Sequence, residues 1–394
     1  MKNKSILIFI YMFPFFAVIL CLFAKETSQV AKNAIYLCLD IVIPSLFPFF
    51  VLSRIIIPYI SLFPCPKILK RFIERVLYLP YYTIFIILLG FISGYPSGAK
   101  MTRDLLDEKL IDSRQASKLL PMANNSSPLF IVGTIGAGLF KSVKLGVFLL
   151  LIHWVSGLTA SIITGKLAFR NRNDNPIHYG GAHHYEYKKS ALTTVSLPAL
   201  ITASVEEAAI LCIKVSGYIV FFAVISELLS LLGVFSLLAG LFSLLFTGSS
   251  HTSVSSEFIT ALLRGFMEIT SGAQAVYNLK SIQFNVQLVV VSIIFGFAGF
   301  SVHTQIMGIM KGTGCKYRVL FLGKLLHGII AGILTILAIG VIPISAQASE
   351  LAVVSGTGFL WTRPVIILIM ILSLIINPYR LSPPDKKTLS KEKN

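Results

Sequence analysis

Apolar runs about 20 residues long recur along this chain, and they constrain its fold more than any other feature. The segment Ser5–Ala24 is one; Pro364–Ile376 with its flanks is another. Roughly 20 apolar residues make a helix long enough to cross about 30 Å of hydrocarbon. Only 13% of the residues are charged, against about 25% in soluble domains. That is too little polar surface to coat a globule in water. In lipid every backbone N–H and C=O must be satisfied within the protein, which leaves helices or a closed barrel. Strict apolar/polar alternation is absent, so helices are expected. The expected fold is an all-α, polytopic transmembrane helical bundle with the lipid bilayer as its principal partner.

The net charge of +17 would suggest nucleic acid in a soluble protein. Here the basic residues cluster between apolar blocks, as the positive-inside rule requires, so no nucleic-acid partner is expected. Cys21, Cys38, Cys65, Cys212 and Cys315 are scattered, with no CxxC among them. Neither a disulfide framework nor a zinc site is expected. The run Gly180-Gly181-Ala182-His183-His184-Tyr185 lacks acidic or cysteine company, and no metal or other cofactor is expected. The apolar run after Met1-Lys-Asn-Lys is long for a signal peptide and reads as an uncleaved first helix.

Basic loops at 66–75 (Lys67, Lys70, Arg71, Arg75), 170–189 (Arg170, Arg172, Lys188, Lys189) and 311–324 (Lys311, Lys316, Arg318, Lys324), with the tail Lys386–Lys393, are expected in the cytoplasm together with both termini. For that to hold, the chain between 78 and 118 must enter the membrane and return. Gly90–Lys100 contains three glycines and Pro96 and makes a poor continuous helix. A re-entrant hairpin fits, with Met101–Leu120 as an amphipathic returning arm at the cytoplasmic face.

The two halves resemble each other. Gly90-Phe91 with Ser97-Gly98-Ala99 is echoed by Gly265-Phe266 with Ser271-Gly272-Ala273, and Asn125-Ser126-Ser127 by Gly299-Phe300-Ser301. The offsets are 265 − 90 = 175, 271 − 97 = 174 and 301 − 127 = 174. A further pair, Ile41–Ile56 with Ile213–Leu228, lies 222 − 50 = 172 apart. The loop charges make these inverted repeats, an architecture of secondary transporters with a midplane site. The expected organisation is an N-terminal transmembrane helix at 1–29, a first repeat at 30–169, a cytoplasmic polar loop at 170–204, a second repeat at 205–345, a C-terminal transmembrane helix at 346–380 and a basic cytoplasmic tail at 381–394.

Four polar, helix-breaking segments are the candidate substrate-binding elements. In Gly94-Tyr95-Pro96-Ser97-Gly98-Ala99-Lys100 the glycines and proline free backbone groups at membrane depth, while Ser97 and Lys100 add a donor and a positive charge. The segment suits a substrate-binding hairpin tip or a tight crossing at small residues. Asn124-Asn125-Ser126-Ser127-Pro128 offers amides and hydroxyls that suit either a polar cavity or a helix cap. Ser301, His303 and Gln305 interrupt an apolar run and need partners. Glu268, with Ser271 and Gln274 after it, brings an ionisable group near membrane depth, suited to a proton, a cation or a basic side chain. Glu206, Glu207, Lys214 and Glu227 read as interfacial helix-start residues. No GxSxG, HExxH or Ser/His/Asp arrangement appears; His251 beside Ser249 and Ser250 is the nearest approach to one. No catalytic residue is expected, and the chain does not read as an enzyme.

Gly94-Tyr-Pro-Ser-Gly-Ala-Lys, Asn124-Asn-Ser-Ser-Pro-Leu-Phe and Gly299-Phe-Ser-Val-His-Thr-Gln, in that order, resemble the sporulation integral membrane protein YlbJ family. That family belongs to the nucleoside-recognition, or Gate, membrane proteins, and the similarity covers roughly residues 30–345. The resemblance implies a multi-pass protein required for spore cortex formation, in a forespore or mother-cell membrane. It also implies kinship with halves of concentrative nucleoside transporters, which use paired hairpins and broken helices. The reading it supports is a transporter-like conduit or binder of a polar solute, nucleoside-like or cortex-related. Alternatives are a scaffold recruiting spore-envelope protein partners through the 170–189 loop and tail, a homo-oligomer, or a nucleoside-type transporter outside sporulation.

Overall fold

A computed structural model describes residues 14–63, 65–168, 197–246 and 256–341. Residues 1–13, the basic loop at 170–189 with Gly180–Tyr185, His251 with Ser249 and Ser250, the 346–380 helix and the 381–394 tail lie outside the described residues. Among the described residues all regular structure is helical and no strand occurs.

Residues 14–22 are helical and lead into α1 (Ala24–Leu37), a π-helical turn (Cys38–Val42) and α2 (Ile43–Ile56). The stretch 25–32, between apolar runs, is helix. Its Ala, Lys, Glu and Gln residues interrupt the apolar pattern without opposing helix. After the short α3 (Lys67–Phe72) come α4 (Thr83–Ser93), α5 (Ser97–Asp107), α6 (Ser113–Ala123), a π-helix at Leu129–Leu139 and the long α7 (Val143–Ala168). The described chain resumes with α8 (Leu197–Leu231), α9 (Val234–Phe246), α10 (Ser256–Met267), α11 (Ile269–Asn278), α12 (Phe284–Phe297), α13 (Gly299–Ile309) and α14 (Tyr317–Val341). Among the described residues five stretches are long and apolar enough to cross a membrane: Ala24–Ile56, Val143–Leu167, Pro198–Leu231, Phe284–Ile309 and Tyr317–Val341. Leu151, Val155, Ile333 and Leu337 on α7 and α14 remain exposed, as lipid-facing residues must.

The order long helix, hairpin, broken helix, long helix occurs twice. An 11-residue helix such as α4 or α5 rises about 16 Å, half a bilayer core. The first hairpin turns at Gly94, whose φ of +86° favours glycine. The arms meet tightly: a Cβ on Gly90, four residues before the tip, or on Gly98, four after it, would strike the same carbonyl oxygen of Ala123 at the end of α6. The second hairpin closes around Glu268 differently: a Cβ on Gly272 would strike the backbone of Gly265, and one on Gly265 the side chain of Ile294 on α12. The broken helices part at Asn124–Pro128 in the first half and at Ala298 (φ +72°) in the second.

Residues 113–120 do not lie on a surface arm as expected. Ala116–Ala123 are all buried, so α6 is the first part of a broken, embedded helix. Its capping box at Asp112 and Gln115 gives it a start independent of α5. Lys324 also departs from expectation. It was assigned to a basic loop, yet it sits inside α14 with 0% exposure.

Residues one sequence offset apart meet. His153 and His327, 174 residues apart, lie with ring centroids 4.5 Å apart and planes tilted by 36°. Along the α7–α14 contact, Thr164 lies against Gly323 while Gly157 and His153 lie against His327. Rising numbers on one helix thus meet falling numbers on the other, so α7 and α14 run antiparallel. Other contacts also join the halves. Arg103 donates to the carbonyls of Ile309 and Lys311. Its counterpart at the same offset, Tyr277, packs on Phe140 of the first half.

Candidate solute site

A cavity of about 80 Å³ opens between the α2–α8 pair and the main core. Ser93, Gly94 and Tyr95 at the first hairpin tip line it, with Ser126 and Ser127 at the first helix break. From the second half come Glu268, Ile269 and Thr270 at the second hairpin tip and Ser301, Val302 and Gln305 on α13. The remaining wall is largely apolar, including Leu46, Phe130, Val215 and Ile219. A buried water needs about 10–15 Å³ on this measure, so the space admits several waters or a small polar group.

Each polar residue is held by its local break. The Tyr95 hydroxyl lies 2.6 Å from Ser126 Oγ and joins the hairpin tip to the broken helix. Glu268 is the N-cap of α11: its carboxylate accepts from Thr270 N at 2.9 Å and Ser271 N at 2.7 Å. A carboxylate there satisfies orphan donors and faces the positive end of the helix dipole. Among the described residues it has no ion-pair partner; backbone amides hold it in place of a basic side chain, which was one of the three partners expected for it. Gln305 Nε2 donates to Ser301 Oγ at 3.3 Å, one turn apart on α13.

Of the sequence-derived candidates, Gly94, Tyr95, Ser126, Ser127, Glu268, Ser301 and Gln305 thus converge on one space. The others do not line it. Ser97 is turned into the hairpin, bonded to Ser93 and to the Gly94 carbonyl. Gly98 is the close crossing with Ala123. Lys100 leaves the tip to pair with Asp104 at 2.5 Å and Glu207 at 3.4 Å. Asn124 and Asn125 repair the break: Asn124 accepts from Ala99 N at 2.9 Å and donates to the Leu120 carbonyl, and Asn125 donates to the Met122 carbonyl. Ser271 donates to the Glu268 carbonyl, and Gln274 faces outward to Asn278. His303 lies 2.8 Å from the Phe297 carbonyl and 3.2 Å from the Tyr317 hydroxyl, among aromatic rings.

Two of the supposed interfacial residues are structural ties. Glu207 pairs with Arg54 at 3.0 Å and Glu227 with Arg264. Sequence reading missed His153, Lys324 and His327, which pack behind the cavity wall at Asn124–Ser126. The available signal was three basic residues well inside the apolar stretches of two helices, away from their ends.

No family model matches the chain, and no solved structure matches it. The sporulation integral membrane protein YlbJ of Bacillus subtilis (strain 168) is 27% identical over 328 residues, which cover 79% of this chain and 78% of that protein. The similarity to this sporulation integral membrane protein extends well beyond the three motifs.

Proposed function

We propose that the protein binds a small polar solute midway through a membrane of a sporulating cell and conducts it across, serving spore-envelope assembly. The observation that carries this reading is the convergence of both hairpin tips and both helix breaks on one cavity. Helix-interrupting backbone at membrane depth is tolerated where it is buried in protein or lines a cavity, and transporters place such breaks at the substrate. The antiparallel run of α7 and α14 and the meeting of His153 with His327, one offset apart, support an inverted repeat, since residues near a two-fold axis face their own counterparts. The similarity to a sporulation protein supports the cellular role. The cavity is smaller than the roughly 300–1,000 Å³ of sites for drug-sized ligands, so a nucleoside-sized solute requires its walls to part. No covalent chemistry belongs to this reading.

The test is thermal unfolding of the purified protein with a panel of nucleosides and amino sugars, repeated with Val302→Trp, which fills the cavity. A bound solute at 100 times its Kd stabilises by about 2.7 kcal/mol. The expected result is a rise in Tm with one solute class that Val302→Trp abolishes. An identical rise in Val302→Trp removes the cavity from the reading.

A further inference from the structure

Behind the wall of the cavity lies a second polar cluster, centred on Lys324. Its Nζ donates to the Asn124 carbonyl and, at 3.5 Å, to Asn125 Oδ1. Neither acceptor carries a charge. α14 packs against α6, α7, α12 and α13. None of these five helices contains an Asp or Glu. Their other charged residues, Arg114, Lys118, Lys144, Lys166 and Arg318, are all basic. The other titratable groups packed nearby are imidazoles, His153 and His327, with His303 and Tyr317 beyond them.

A buried ammonium without a counter-charge is expensive. The two acceptors also match the two N–H donors of a neutral amine and leave the third proton of an ammonium without one. The surroundings therefore serve both states, which suits a group that gains and loses a proton.

The neighbouring histidines differ in where their protons sit. Ser126 N donates to His153 Nε2 at 3.0 Å, so in the neutral ring the proton sits on Nδ1. His327 Nε2 faces the His153 carbonyl at 2.9 Å, so its proton is on Nε2 and its Nδ1 is a bare acceptor. Both Nδ1 atoms are buried without a partner. His327 lies three residues beyond Lys324 on α14, on the same helix face.

We propose that Lys324 and His327 form a proton-binding site inside the membrane, and that the break at Asn124–Ser126 transmits its occupancy to the cavity. A proton drawn from water adds to His327 Nδ1 to give an imidazolium. That cation passes it to the neutral Lys324 amine and returns to the neutral ring. The resulting ammonium strengthens its hold on the Asn124 carbonyl, two residues before Ser126, which lines the cavity and is tied to His153 and Tyr95. This site rests on the solute reading for its purpose, but its proton binding is measured without any solute.

The experiment uses the full chain in proteoliposomes on a solid-supported membrane. A jump in bath pH, with no solute present, is expected to give a transient charge displacement, because a proton entering a buried site crosses part of the membrane field. Lys324→Arg keeps a cation and its donors but cannot release a proton, and it is expected to lose the transient. His327→Gln is expected to slow it. Lys324→Met serves as a second variant if the arginine form does not fold, as judged by elution and Tm. A wild-type protein with no transient, or a Lys324 variant that folds and keeps its full amplitude, overturns the proposal. Neither result bears on solute binding, which the Val302→Trp comparison decides.

Discussion

Gly90→Ala tests whether the first hairpin is built on close backbone contact. A Cβ at Gly90 would lie 2.8 Å from the Ala123 carbonyl carbon and 3.1 Å from its Cα, with the oxygen nearer still. These are backbone atoms, so no side-chain rotation relieves the overlap. Overpacking of this kind costs about 1–3 kcal/mol, and the fixed backbone puts Gly90 toward the upper end. Alanine in place of glycine within a helix recovers about 1 kcal/mol, leaving a net loss of about 2 kcal/mol. Gly165 on α7 is the control, because a Cβ there meets nothing within 4 Å. Gly165→Ala is therefore expected to gain up to about 1 kcal/mol. The two variants make the same chemical change and should move in opposite directions, separated by about 3 kcal/mol. In a chain this long each kcal/mol shifts Tm by about 2 °C at most, a difference that thermal unfolding in detergent resolves. Gly98→Ala strikes the same carbonyl, so the double variant should cost less than the sum of the singles. A Gly90→Ala protein that melts at or above wild type, or a Gly165→Ala protein that falls as far, refutes the reasoning.

Glu268→Ala removes the cap of α11 and should destabilise by about 0.5–2 kcal/mol; Glu268→Gln, which keeps one acceptor, should lose less, and equal losses in thermal unfolding would count against the capping role. The Arg264–Glu227 pair is about one-fifth to one-quarter exposed, so a double-mutant cycle on Tm should give a coupling of about 1 kcal/mol or less. Gly157→Val presses on His327 and Asn125, which lie 2.8 and 2.9 Å from a Cβ at that position. It should destabilise by about 1–3 kcal/mol, and unchanged denaturant unfolding would mean that α7, α14 and the first break are less closely packed than described.

The helical class, the hairpin tips and the helix breaks were legible because they depend on residue type. Apolar length gives the spans, and Gly94, Pro96 and Pro128 forbid a continuous helix wherever the chain folds. The sequence offset of 174 also relates the breaks at Asn124 and Ala298. Side-chain direction was not. Asn124 and Ser126 are two residues apart in one break, yet Asn124 faces Ala99 and Lys324 while Ser126 faces the cavity. Only the packing of α5, α7 and α14 around the break decides this. Lys324 was misplaced because a lysine seven residues into a helix that follows a basic loop reads like part of the loop. Its burial depends on α6 and α7 closing over it, which no local pattern records.

The meeting of His153 with His327 has a consequence for what one continuous chain achieves. Were the halves identical and separate, each residue near the local axis would face its own copy and both copies would perform the same task. Here the two imidazoles differ: one accepts from Ser126 N and the other faces the His153 carbonyl. The position equivalent to Lys324 in the first half is Leu150. A symmetric pair would bury two ammonium groups near one interface and set them repelling each other. In the single chain one side carries an amine while the position 174 residues earlier is hydrocarbon, so the meeting place of His153 and His327 differs between its two sides.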